Sequence, residues 1–133
     1  MTNAERVSKF LTDAKVFFFL TANGDRPKGR PFGFQMLDND TVYFGTGTFK
    51  KVYAELQANP EVEVLALCGE EFLRYDGKVK FVQSDELLEK VRAAMPDMMA
   101  IYDQNGWEMA LFCLENGHAE LHTMMGTKEE FDV

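Results

Sequence analysis

The chain has 133 residues, 46% of them hydrophobic and 13% aromatic, and a formal net charge of −8. That length and composition describe one globular domain that can bury a core without disulfide or metal staples, and they exclude a disordered chain. The charge excludes the broad basic face that nucleic acid or an anionic membrane requires, so any anionic ligand has to be held locally.

Asn3 is expected to cap a first helix whose apolar positions Val7, Phe10, Leu11 and Ala14 recur at helical spacing. VFFFLTA follows as a nearly all-apolar strand, expected to be buried on both faces, and Asn23-Gly24-Asp25 turns it into a second strand beginning near Lys28. Pro31 removes a backbone donor from that second strand, which places it at an edge, at a bulge or where the sheet opens. Asp38-Asn39-Asp40 makes the next turn, and a strand over 41–46 ends in Gly45-Thr46-Gly47-Thr48. A short helix then opens with Lys50 and Lys51 and is stopped by Asn59-Pro60.

EVEVLALC and FLRYDGKVKFVQ read as strands, with a turn or bulge at Asp76-Gly77, and Ser84 caps a helix that Pro96 breaks. Met98 to Tyr102 reads as a further helical piece. EMALFCLE, Asn116-Gly117 and HAELHTMM read as a closing hairpin, because Asn-Gly favours a two-residue turn. The acidic tail 127–133 has no periodicity and is expected to carry no structure, leaving 1–126 as the domain. Six or seven strands with helices between them give an α+β, barrel-like antiparallel sheet flanked by short helices.

The longest apolar run, VFFFL at 16–20, is too short to cross a bilayer, and no signal-peptide pattern precedes it, so a cytoplasmic location is expected. Cys68 and Cys113 lie in apolar segments outside any CxxC pair and are expected as buried free thiols. His118 and His122 would stand about 13 Å apart on a strand, too far to chelate one metal, and no metal site is expected. GTGTFKK lacks P-loop spacing, and no nucleophile motif is present.

The most focused chemistry lies where the strand ending in Gly45-Thr46-Gly47-Thr48 hands over to the helix of Lys50 and Lys51. Helix N-terminal amides, hydroxyls and two ammonium groups suit a phosphate. A solvated first turn is the alternative for the two lysines, and an ion pair the alternative for Arg30. Trp107 and Tyr102 can stack on a ligand or serve packing.

The order of Arg30-Pro31-Phe32, VYFGTGTFKKVYAELQANPEVEV, LRYDGKV and ALFCLENGHAELHTMMG resembles the flavin-binding split β-barrel proteins related to pyridoxamine 5′-phosphate oxidase. The likeness covers nearly the whole chain, and includes the small general-stress and nitroimidazole-resistance-like members. It implies a homodimer with FMN in clefts between subunits and a small-molecule substrate. By the same resemblance Lys50, with Lys51 its near-equivalent, holds the phosphate, Thr46 and Thr48 donate hydroxyls, and Gly45 and Gly47 let the backbone approach. Arg30 would face the flavin, with Pro31 and Phe32 lining the ring. The chain ends in Glu129, Glu130 and Asp132, where vitamin B6 oxidases carry basic residues, so the resemblance implies an FMN-dependent oxidoreductase rather than that oxidase. Alternatives are a flavin, deazaflavin or haem protein without turnover, and an interaction module.

Overall fold

In the computed structural model, which describes residues 1–133, Thr2 rather than Asn3 caps the first helix, α1 (Asn3–Ala14). The Thr2 hydroxyl accepts from the Glu5 amide and the Glu5 carboxylate accepts from the Thr2 amide, each at 3.1 Å, a reciprocal capping box. Asn3 instead donates its side-chain amide to the Asp132 carbonyl at 2.8 Å, which ties the two ends of the chain together. Val7 and Leu11 on the inner face of α1 are each 1% exposed.

Strands β1 (Phe17–Asn23) and β2 (Arg26–Phe32) form the expected hairpin. Burial alternates along β1, with Phe17, Phe19 and Thr21 inside and Phe18 48% exposed, so this strand is not buried on both faces. The strand expected to run through Pro31 to Leu37 is broken at Gly33 and Phe34 into β2 and β3 (Gln35–Asp38). Asn39 and Asp40, at φ 47° and 60°, turn β3 into β4 (Thr41–Gly47) as a type I′ pair does. Lys50 is the N-cap of α2 (Lys51–Ala58), not its first turn.

The remaining elements are β5 (Glu61–Cys68), β6 (Glu71–Val82), α3 (Asp85–Ala94), α4 (Pro96–Asn105), β7 (Met109–Thr123) and β8 (Gly126–Asp132). Ser84 caps α3 through the Leu87 amide at 3.1 Å, and Pro96 begins α4 at the position where its missing donor costs nothing. The eight strands pair antiparallel in the order β2-β1-β5-β6-β7-β4-β3, with β8 beside β7. β2 and β3, two residues apart in sequence, end opposite sides of this path and do not pair, so the sheet is a split barrel. Pro31 therefore lies on an edge strand, as its lost donor requires. None of the helices is long and apolar enough to cross a membrane.

Two expectations fail around β7. Asn116-Gly117 is not a hairpin turn: β7 continues through it, and the register on β6 passes from Asp76↔His118 to Lys78↔Glu115. The two residues stand against Gly77 alone, a bulge that uses the positive φ of Asn116, 53°. The acidic tail is not unstructured but forms β8, held by Val133 N donating to Gly117 O at 2.9 Å and by Phe131 and Val133 packing on the core. β4 and β8 share the edge of β7 opposite β6, β4 along Met109–Phe112 and β8 along His118–Thr123.

The core fills the curled sheet beneath α1. Phe19, Phe44 and Phe112 meet with centroids 5.5–5.8 Å apart, and Phe17, Leu73 and Tyr75 complete the layer. Each such side chain contributes about 1.5–3 kcal/mol of burial. Leu87, Val91, Met99 and Leu111 form a smaller cluster that seats α3 and α4. Cys68 and Cys113 are free but half-buried rather than buried, and burial pushes the Cys113 thiol up from its ordinary value.

Candidate functional site

The end of β4 is fixed by backbone bonds that leave its charged side chains free. Thr48 N donates to Glu108 O, and Lys50 N donates to Gly47 O, each at 3.0 Å. No side chain caps the N-terminus of α2, and its first turn holds no acid. None of the ion pairs in the chain includes Lys50 or Lys51. Two exposed ammonium groups thus sit on the positive end of a helix, where an anion is favoured and a cation is not.

Thr46, one residue inside β4, is 2% exposed, and its hydroxyl is the one buried side-chain polar atom without a hydrogen-bond partner. Such a group costs about 1–3 kcal/mol while unsatisfied. The space over the neighbouring glycines is taken by the protein itself. A Cβ on Gly47 would stand 2.4 Å from the Phe49 ring, and one on Gly45 would stand 2.9 Å from Met109 Sδ.

Arg30 is bound into the scaffold. Its Nη1 donates to Phe19 O at 3.1 Å and to Thr21 Oγ1 at 2.8 Å, and its Nη2 pairs with Glu55 Oε1 at 2.7 Å. Thr21 Oγ1 donates to the same Glu55 oxygen at 2.6 Å. The Thr21 hydrogen bond, and after it the Arg30 guanidinium, hold the Glu55 carboxyl below the usual carboxylate range against the opposing effect of burial. Pro31 is exposed on the outer side, whereas the Phe32 ring stacks on Phe19 at 4.9 Å in the core. Glu55 and Thr21 were not evident as site neighbours, since nothing local in the sequence marks a partner 25 residues from Arg30.

Two clefts adjoin the segment that joins β4 to α2. One of about 680 Å³ is lined by Thr48, Tyr53, Phe81, Leu88, Trp107 and Met109 among others, within the size range of small-molecule sites. Trp107, at its wall, stacks on Phe49 at 4.3 Å and meets Tyr102 edge-on at 5.7 Å. The other, of about 500 Å³, lies between the β1–β2 turn and α2 and takes in Lys51, Glu55, Ala22 and Asn59. Thr48 lines the first cleft and Lys51 the second, and Lys50 lines neither. An orphaned hydroxyl, free helix amides and two unpaired lysines fit the phosphate of FMN, and the aromatic cleft beside Thr48 fits a planar ring.

Residues 4–124 match the pyridoxamine 5′-phosphate oxidase family. No curated protein matches the chain in sequence. Among solved structures, a NimC/NimA family protein of Clostridium acetobutylicum superposes with a TM-score of 0.89 at 24% identity, over 100% of this chain and 95% of that one. A pyridoxamine 5′-phosphate oxidase-related, FMN-binding protein of Nostoc punctiforme gives 0.66 at 17% identity, covering 99% and 89%. The haem storage protein HutZ of Vibrio cholerae gives 0.64 at 14%, covering 92% and 95%. These likenesses establish a common fold.

Proposed function

The chain belongs to the pyridoxamine 5′-phosphate oxidase family, and from that premise we propose that it binds FMN and acts as a small FMN-dependent oxidoreductase. The observation that carries this reading is the pair Lys50 and Lys51, unpaired at the N-terminus of α2 beside the unpartnered Thr46 hydroxyl. Lys50, with Lys51, would neutralise the phosphate, the α2 amides and Thr48 would donate to it, and the cleft walled by Tyr53, Phe81 and Trp107 would exclude water from the ring. Bound flavin supplies hydride or electron transfer to a small molecule or oxygen, while the protein supplies position and charge.

The working form in this reading is a homodimer with the cofactor at the interface. Phe18 and Leu67, 48% and 64% exposed on β1 and β5, are apolar side chains for such a contact. A second reading, a flavin or related cofactor protein without turnover, is favoured by Arg30. Its guanidinium, the group the family resemblance turns toward the ring, is already engaged by Glu55 and Thr21.

Titration of the purified protein with FMN, followed by flavin fluorescence, tests the proposal. Quenching that saturates at about one FMN per chain is expected, with affinity falling about tenfold or more in the Lys50→Ala, Lys51→Ala double variant. Absence of quenching, or wild-type affinity in that variant, refutes it. Reoxidation of the NADPH-reduced protein by oxygen or quinones separates the oxidoreductase from the protein without turnover.

A further inference from the structure

Pairing of β8 with β7 sets His118 opposite Asp132 and Glu120 opposite Glu130. Residues two apart on a strand share a face, so these four project from the same side of the sheet. One ligating atom from each of His118, Glu120 and Glu130 lies within 4.8 Å of the others. Like charges directly opposite on neighbouring strands repel, yet no lysine or arginine forms an ion pair with either glutamate. Arg74, opposite Glu120 on β6, is turned to Glu63 at 2.8 Å, and Lys128 of β8 pairs with Glu71 at 2.8 Å. Arg6 is held by the adjacent Glu129 at 2.6 Å. Outer groups already orient two of the three side chains. Asp132 Oδ1 lies 3.2 Å from His118 Nδ1, and His122 Nε2 lies 3.0 Å from Glu120 Oε1.

We propose that His118, Glu120 and Glu130 bind a first-row divalent transition metal of the zinc type. One imidazole with two carboxylates suits such an ion better than calcium or magnesium, which take oxygen ligands alone, and three protein ligands leave a position for water. The site is separate from the flavin site: Ala110, paired with Thr46, and His118 lie about 26 Å apart along β7. The two histidines do not chelate one ion together. The ligands that complete the set come from Glu120 between them and from the strand formed by the tail.

The test is calorimetric titration of the full chain, stripped by a chelator, with zinc chloride. Saturable binding of about one zinc per chain is expected. It should weaken about tenfold or more in His118→Ala and in Glu130→Gln, and stay unchanged in Glu89→Gln, an exposed acid of α3. Circular dichroism melting confirms that each variant is folded. Cobalt chloride should give visible absorption bands in the wild type that both site variants lose. No saturable zinc binding, or wild-type affinity in folded Glu130→Gln, overturns the proposal.

Discussion

Arg30 Nη2 lies 2.7 Å from Glu55 Oε1, and this pair ties the edge strand β2 to the helix whose start carries Lys51. Its side chains are 23% and 11% exposed, so removing one partner leaves the other poorly solvated. Glu55→Ala is expected to destabilise the fold by about 1–3 kcal/mol, less than a fully buried pair would cost. The folded state holds the Glu55 carboxyl below its ordinary value. The stabilisation is therefore complete above the unfolded pKa and is lost as pH falls through the lower, folded one. Urea midpoints of the wild type should drop more steeply from about pH 5 to about pH 3 than those of Glu55→Gln. Parallel pH profiles would show that the pair contributes nothing to acid stability.

Thr46→Val keeps the shape of a buried side chain and removes its unpartnered hydroxyl. The ligand-free variant should be as stable as the wild type or more stable by about 1 kcal/mol, while FMN binds about fivefold to tenfold more weakly. Thermal melts and fluorescence titrations on the same samples give both quantities. A stabilised variant with unchanged FMN affinity would make Thr46 a scaffold residue and leave the phosphate to the lysines and the α2 amides.

The bulge where β6 crosses β7 depends on two glycines. A Cβ on Gly77 would stand 2.8 Å from Glu115 O and 3.0 Å from Leu114 Cβ, and one on Gly117 would stand 3.0 Å from Tyr75 Cε1 and 3.2 Å from Val133 O. Backbone and a buried ring cannot yield as a flexible side-chain end does, so Gly77→Ala and Gly117→Ala should each cost about 1–3 kcal/mol. Gly33→Ala, with nothing within 4 Å of the added atom, is the comparison and should be neutral or slightly stabilising. Equal urea midpoints for all three would mean that the strands separate freely at this point.

These positions also show how far local pattern carries. The β1–β2 and β3–β4 hairpins, the edge placement of Pro31 and the Ser84 cap each follow from a rule that acts over a few residues, and each is present. The capping box of Thr2 and Glu5 was equally local, but Asn3 competed for the same role and instead bonds the far end of the chain. Asn116-Gly117 suits either a type I′ turn or a bulge, since both ask for positive φ. Only the partner strand β6, which pairs on both sides of the dipeptide, decides between them. The engagement of Arg30 by Glu55 and the assembly of His118 with Glu130 are contacts between distant segments, and no spacing rule reaches them.

The tail presents the same problem in its sharpest form, because TKEEFDV has neither alternation nor low charge and still forms a strand. Its order comes from what it meets. It pairs with His118–Thr123 of β7, Phe131 and Val133 pack on the core, the Arg6 guanidinium lies 4.1 Å over the Phe131 ring, and Asn3 bonds Asp132 O. Deleting 126–133 would uncover the β7 edge together with that apolar contact. An unpaired edge is a template for another chain. The shortened protein should melt about 5 °C or more below the full chain and associate as its concentration rises, seen by calorimetry and light scattering. Phe131→Ala, which keeps the strand but removes its main apolar anchor, should fall between the two. If the tail were only a solvated acidic extension, its loss would leave the melting temperature unchanged, and Phe131→Ala would match the wild type.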